Sequence, residues 1–480
     1  MSRRCFLAAA TTATAATALL GRKAWGAEGN LGDYIELGKF RPRPSVKIRG
    51  ATVRQKPPYW LGWPGTSYDL EERRKAFAQG FAESAKAAEV EVSLKEEPIE
   101  SEEGVAAFIT EIQGEKPDAV VLTLQHMGIW GWADKISKAG IPTILFAPIG
   151  VGFTGHVLEI SRRTGVHVVS SLEMSGIEQA FRMIRAKKQF ENTKLLVVAG
   201  NERKESVVDR LGTQVKYIPR DSLHELFNQM PETEEVKSVA DSMMKDAEKI
   251  VEPTKQDALN AARSYITAKR LLENEGCNAI TSDCLGMVSS KVVPTPPCMA
   301  ASFFQDAGVT YGCEADVHGA LSLMLSSYLA DKPGFMNDPV PETVKNYLIV
   351  AHCTSGTCLD GLGKSREPFI LRSHSESSLG VSPQVLWRKD QKVTLVRFQK
   401  PTEVIVDTGT VVANVQTPPA GGCRTNFEIA MDRVEDVRDV AGFHQVVFYG
   451  DHRRDVEAFC QMFGLGMVNS AEASAKPKAT

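Results

Sequence analysis

The chain has 480 residues, of which 43% are hydrophobic and 24% charged, and its formal net charge is −3. This is the composition of a globular protein with a sizeable core, and the length suggests two to four domains. There is no basic excess to hold nucleic acid, and no apolar run after the N-terminus is long enough to span a bilayer.

Residues 1–27 read as a twin-arginine-type signal peptide. Arg3-Arg4 precedes a mildly apolar Ala/Thr/Leu run to Leu20, and Ala24-Trp25-Gly26-Ala27 offers small residues for cleavage. The segment implies a bacterial protein exported to the periplasm or cell surface. It carries four cations and no acid, so its removal would leave a net charge of −7. Residues 28–45 read as an irregular arm, punctuated by Arg41-Pro42-Arg43-Pro44.

Residues 46–164 have the pattern of an N-terminal α/β domain. Val46–Val53 is strand-like, Leu70–Ala88 is helical, and Ala119–Leu124 and Pro142–Phe146 are continuous apolar runs of the kind buried in parallel sheets. Two aromatic loops follow strand-like segments, one with Trp60 and Trp63, the other with His126 and Trp130. Tryptophan beside polar groups suits the apolar face of a sugar. Packing between domains or subunits would use the same residues. Residues 165–345 repeat the alternation as a second α/β domain. Lys194–Gly200 is a strand ending in a glycine turn, without the further glycines of a dinucleotide loop. Amphipathic helices follow over about 234–249 and 256–275, and Asn278–Asp283 is a strand ending in an acid.

Residues 308–339, GVTYGCEADVHGALSLMLSSYLADKPGFMNDP, read as strand, helix, strand. Val317, Ala320, Leu321, Met324 and Tyr328 recur at helical spacing, and Lys332-Pro333-Gly334 ends the helix. In a right-handed βαβ unit Glu314 and Asp338 would lie at the same, carboxyl, edge of one sheet, where open α/β sheets bind ligands. Residues 346–468 change character. Short strands with polar connections, such as Tyr347–His352, Lys392–Phe398 and Glu403–Val406, indicate a β-rich C-terminal domain. Residues 469–480 have the composition of a disordered tail. The fold class is therefore α/β, with two doubly wound α/β domains followed by a β-rich domain. Eight of the nine cysteines lie between Cys277 and Cys460 without a paired CxxC set, which points to buried free thiols; Cys353 and Cys358 are the close pair.

Three segments together resemble the L-fucose isomerase/L-arabinose isomerase family. GCEADVHGALSLMLSSYLADKPGFMNDP is similar to that family's acid–helix–acid segment, and PFILRSHSES and GFHQVVFYGD to its histidine segments. The resemblance covers roughly residues 45–465. It implies a metal-dependent aldose–ketose isomerase acting on a free sugar through an enediolate, with Mn²⁺ or another divalent ion such as Mg²⁺ held by Glu314, Asp338 and His444. It also implies that Glu314 and Asp338 share the proton transfers, that His374 meets a sugar hydroxyl or supports a ligand, and that the protein is a homo-oligomer. Asp283, Asp316, His318 and His352 are candidates for supporting roles. The same ligands would serve an epimerase or lyase on a sugar or sugar acid, and two α/β domains with aromatic loops would also suit a non-catalytic periplasmic sugar-binding protein.

Overall fold

The computed structural model describes residues 31–59, 69–416 and 423–475. The signal segment, Trp60 and Trp63 lie outside the described residues.

The first sheet contains β1 (Lys47–Val53), β2 (Glu91–Leu94), β3 (Ala119–Leu124), β4 (Thr143–Ala147) and β5 (Val166–Ser170), all parallel, in the order β2-β1-β3-β4-β5. Every residue of β3 is buried, as a central strand covered by helices on both faces requires. The covering helix Leu70–Ala88 has the predicted bounds. Asp69 caps it by accepting from Glu71 and Glu72 amides, and it buries Phe77, Phe81 and Ala85.

The second sheet contains β6 (Lys194–Val198), β7 (Lys204–Val207) and β8 (Gln214–Ile218). After the short β9 (Lys249–Ile250) it adds β10 (Ala279–Ser282) and β11 (Tyr311–Gly312). Its order is β11-β10-β6-β8-β7, parallel except for the edge strand β7. The chain runs to opposite sides of β6, through β8 and through β10. Loops after β6, β10 and β11 therefore surround a switch point at the carboxyl edge.

The C-terminal region is a closed barrel. Its strands are β12 (Phe335–Glu342), β13 (Tyr347–His352), β16 (Lys392–Lys400), β17 (Glu403–Asn414), β18 (Thr425–Met431) and β19 (Gln445–Tyr449); β14 (Phe369–Arg372) and β15 (Ser382–Val385) form a small sheet with β9. The ring runs β16-β19-β12-β13-β18-β17 and closes by β17 pairing with β16, while β20 (Gly466–Val468) adds in parallel to β17. Phe335, Trp387, Phe427 and Tyr449 pack within its core, Trp387 stacked on Phe427 with centroids 4.3 Å apart.

Two expectations change. The strand after the helix Val317–Ala330 does not return to the parallel sheet. It is β12, antiparallel to both β13 and β19. The helix itself is buried on all sides from Gly319 to Leu329, because it lies between the second sheet and barrel strand β16. The apolar stripe read from the sequence is only part of a surface buried all round, which also takes in Ser322, Ser326 and Ser327. The expected tail also begins with structure: Ser470–Ser474 is a helix capped by Asn469, and Ser470 is bonded to the buried Asp407.

Candidate functional site

The second sheet and the barrel meet where β11 ends. Beyond Gly312 the chain turns sharply. Glu314 and Ala315 both have left-handed backbone, with φ of 54° and 55°, a conformation that side chains with a Cβ seldom adopt. The turn is pinned by Ala315 N–H donating to Ser282 O at 3.0 Å and Cys313 N–H to Met336 Sδ at 3.4 Å. Asp316 then caps the helix Val317–Ala330 by accepting from Gly319 N–H.

The barrel brings the remaining groups by register. β12 pairs with β19 so that Asn337 faces Gln445, which places Asp338 opposite His444. On its other side Asp338 faces Ala351, one residue before His352. The result is a convergence on His444 Nε2, which lies 3.3 Å from Glu314 Oε2 and 3.3 Å from Asp338 Oδ1. Both acids approach His444, although one comes from a parallel sheet and the other from a barrel.

Hydrogen bonds give the two nearby histidines opposite roles. His444 Nδ1 is 3.0 Å from Asp316 Oδ2. Burial alone would raise the Asp316 carboxyl, but His444 and Arg397 hold it well below its usual value, so it is a carboxylate that accepts the Nδ1 hydrogen. In neutral His444 the lone pair is then on Nε2, aimed between Glu314 and Asp338. This is the arrangement of a metal-ligating histidine oriented by a carboxylate. His352 is the reverse. Its Nδ1 accepts the backbone N–H of Cys353 at 2.8 Å, so neutral His352 carries its hydrogen on Nε2. By distance alone His352 could join Asp338 and His444, or Cys313 and Glu314, around an ion, each group lying within 4.8 Å. The hydrogen bond makes it a donor instead.

Asp338 Oδ1, His352 Nε2 and His444 Nε2 are all buried without a well-aligned hydrogen bond, although Asp338 Oδ1 and His444 Nε2 approach each other to 3.3 Å. Buried polar atoms are ordinarily paired, so three such atoms in one place mark a position suited to a polar ligand. An oxygen-rich set with one imidazole suits a hard divalent ion. Glu314 and Asp338 each approach His444 Nε2, but these three ligand atoms are not all within 4.8 Å of one another, and the two sets that are, Asp338–His352–His444 and Cys313–Glu314–His352, both include His352. Burial pushes the Asp338 carboxyl up, whereas contact with His444 holds Glu314 down.

A pocket opens onto these groups, with about 40 Å³ of room for water-sized molecules. Glu314, Asp338, His352, His374 and Glu376 line it, with five cysteines on the wall. Its described lining has no lysine or arginine. His374 Nδ1 accepts from Ser377 N–H at 3.3 Å, leaving Nε2 as its second polar atom.

The remaining candidates lie elsewhere or are engaged. His126 and Trp130 follow β3 in the first sheet and are not part of this lining. Trp130 donates to Val151 O at 2.8 Å, and His126 Nδ1 accepts from Gly128 N–H at 2.9 Å. Asp283 caps the helix Cys284–Ser289 and pairs with Arg220. The sequence did not distinguish Asp316 from other supporting acids. Its capping position after Glu314 was legible, but its bond to a residue 128 positions away was not. Nor did the cysteine spacing show that Cys353 turns toward Cys298 and Cys423, while Cys358 N–H bonds Asp306 at 2.8 Å.

No family model matches the chain. Over 196 residues it is 24% identical to the sulfoquinovose isomerase of Clostridium sp. (strain MSTE9). That match covers 38% of this chain and 43% of the relative, so the chain spans less than half of that protein's length. A solved solute-binding protein of an ABC transporter from Burkholderia multivorans is 12% identical and covers 52% of this chain and 85% of its own, with a TM-score of 0.19.

Proposed function

We propose that the protein is a divalent-metal-dependent aldose–ketose isomerase acting on an uncharged free sugar. The observation that carries this reading is the convergence of Glu314 Oε2 and Asp338 Oδ1 on His444 Nε2, each at 3.3 Å, with Asp338 Oδ1 and His444 Nε2 buried and making no well-aligned hydrogen bond. The similarity to a sugar isomerase supports the same reaction class. An ion held by Glu314, Asp338 and His444 would supply Lewis-acid polarisation of the sugar carbonyl.

The protein's own groups do the rest. Glu314 and Asp338 face one another across His444 and are the two carboxylates able to move a proton between C1 and C2 and between O1 and O2. Asp316 holds the His444 ring and its tautomer, and Arg397 holds Asp316, with Nη1 at 2.6 Å from Oδ2. His352 Nε2–H donates to a sugar oxygen, and His374 offers a second polar contact.

Charge selects the substrate. A sulfonated or phosphorylated sugar would meet Glu376 and two further carboxylates with no lysine or arginine among the described lining residues. The two internal segments outside the description, 60–68 and 417–422, contain no cation in sequence. A neutral deoxyhexose or pentose fits this lining better. The twin-arginine segment supports an exported protein, and hence a free sugar met outside the cytoplasm.

The test is proton NMR of the Mn²⁺-loaded protein with free aldoses and ketoses in D₂O, with sulfoquinovose included. Ketose formation from a neutral aldose, or exchange of its C2 proton, is the expected result, with sulfoquinovose unchanged. Turnover of sulfoquinovose alone overturns the substrate class. An epimer or cleavage product redirects the reaction, and binding without exchange across the panel overturns the enzyme reading.

A further inference from the structure

Five of the protein's thiols line the pocket, and the proposed isomerisation uses none of them. Two are set apart by their geometry. Cys284 begins the helix after β10 and Cys313 follows β11. These strands are parallel neighbours, with Ile280 beside Tyr311 and Thr281 beside Gly312, so the chain leaves both at the same edge. The two sulfurs lie 2.9 Å apart and are buried, yet both residues face the pocket. The other three thiols form a separate group, in which Cys353 touches Cys298 and Cys423. Among the described residues no three sulfurs lie within 4.8 Å of one another. The thiols are thus arranged as side-by-side contacts and do not form the cage that a thiolate-bound metal requires.

We propose that Cys284 and Cys313 are a peroxide-oxidisable dithiol that closes to a disulfide on the pocket wall and displaces Glu314. The pocket admits a few water-sized molecules, with about 40 Å³ available, so hydrogen peroxide is the class of oxidant that reaches the pair. One thiolate attacks a peroxide oxygen and the O–O bond breaks. A sulfenic acid forms, and the departing hydroxide takes the thiol proton to become water. The second sulfur attacks the sulfenic sulfur, the S–O bond breaks, and a second water leaves with the remaining proton. Two electrons pass from the dithiol to one peroxide, which is reduced to two waters.

Closure to a bond of about 2.05 Å requires the sulfurs to approach by about 0.9 Å. Cys313 adjoins Glu314, whose left-handed turn is pinned to Ser282 and to Met336. Movement of Cys313 is therefore transmitted to the Glu314 carboxylate and lowers metal affinity, a consequence that rests on the metal reading above.

The experiment treats reduced full-length protein with one equivalent of hydrogen peroxide. It then reads intact mass, alkylatable thiols and the linked peptides, and measures Mn²⁺ binding by calorimetry before and after. Expected are loss of two hydrogens, a Cys284–Cys313 link, and Mn²⁺ affinity lower by about tenfold, in the range produced by disturbing the support of a ligand, with recovery in dithiothreitol. C284S and C313S are each expected to form no such link and to keep their Mn²⁺ affinity through the treatment, while C298S links as the parent does. A link among Cys298, Cys353 and Cys423, oxygen addition without a link, or equal affinity in both states overturns the proposal. If the reduced protein binds no Mn²⁺, the site reading and the coupling to Glu314 both fall, and the peptide map alone decides the dithiol.

Discussion

The two parallel sheets present the same kind of edge to different surroundings. At the carboxyl edge of the first sheet, His126 and Trp130 after β3 and Tyr59 after β1 are satisfied locally: Gly128 donates to His126, Trp130 donates to Val151 O, and Tyr59 Oη donates to Gln125 O at 2.8 Å. After β11 of the second sheet, the chain meets the barrel, and Asp338, His352 and His444 keep buried polar atoms without a well-aligned hydrogen bond. Both edges carry residues that a sequence reading marks as functional. The difference lies in what satisfies them. A polar group spent on its own loop builds the loop, whereas one left without a well-formed hydrogen bond at a junction of two folds is available to a ligand.

The largest expected effect lies at the junction. Glu314→Gln keeps the shape of the side chain but removes its charge and its capacity to take a proton. Turnover should fall by about 10²–10⁴-fold, the usual worth of an acid–base group, with Mn²⁺ binding weakened in parallel. Full activity in this variant would remove the second sheet from the site. Acidity gives the next test. Burial alone would lower His444, but contacts with Asp316, Glu314 and Asp338 carry it to about 9 in the metal-free protein. Its folded pKa thus exceeds the unfolded value of about 6.5. This pairing stabilises metal-free protein fully below about pH 6.5, and the contribution is lost as pH rises through about 9. An ion must displace the same proton. Mn²⁺ affinity should therefore fall as pH drops below 9, by up to about tenfold per unit, with roughly one proton released per ion at neutral pH in calorimetry run in two buffers. Binding independent of pH would exclude His444 as a ligand.

Asp316 and His352 separate support from substrate contact. Asp316→Asn should cost about 10–100-fold in metal affinity, because His444 loses the carboxylate that fixes its tautomer. His352→Ala should leave metal affinity unchanged and reduce kcat/KM by roughly tenfold, equivalent to one hydrogen bond of about 1.4 kcal/mol. A His352 variant that loses the metal would instead make it a ligand, as distance alone allows.

Much of this arrangement was legible in the sequence, and what was not has a physical cause. Apolar runs such as 119–124 announce buried strands because both faces are covered. Glu314, Asp338 and His444 were marked by motif resemblance. Their route into one site was not legible, since β12 has the same short extended signature whether it returns to a parallel sheet or enters a barrel. Only its partners, β13 and β19, distinguish the two, and β19 lies more than 100 residues away. Histidine roles were hidden for a similar reason. Whether Nε2 of His352 or His444 carries a hydrogen depends on what meets Nδ1, and in His444 that partner is 128 residues distant.

The smallest effect sharpens the comparison from the other edge. Trp130→Phe keeps the aromatic body in the first sheet but removes the indole N–H, leaving Val151 O without its 2.8 Å donor. The carbonyl is buried, so stability should fall by about 1–3 kcal/mol. Trp130 is not part of the pocket lining that contains Glu314 and Asp338, so kcat and KM for the sugar should not change. Denaturant unfolding and steady-state kinetics on the same preparation separate these outcomes. A tryptophan that stacks on the sugar would give the opposite pattern, a raised KM with little change in stability. That result would bring the first sheet into the site, most directly by a neighbouring subunit presenting its β3 edge over the pocket.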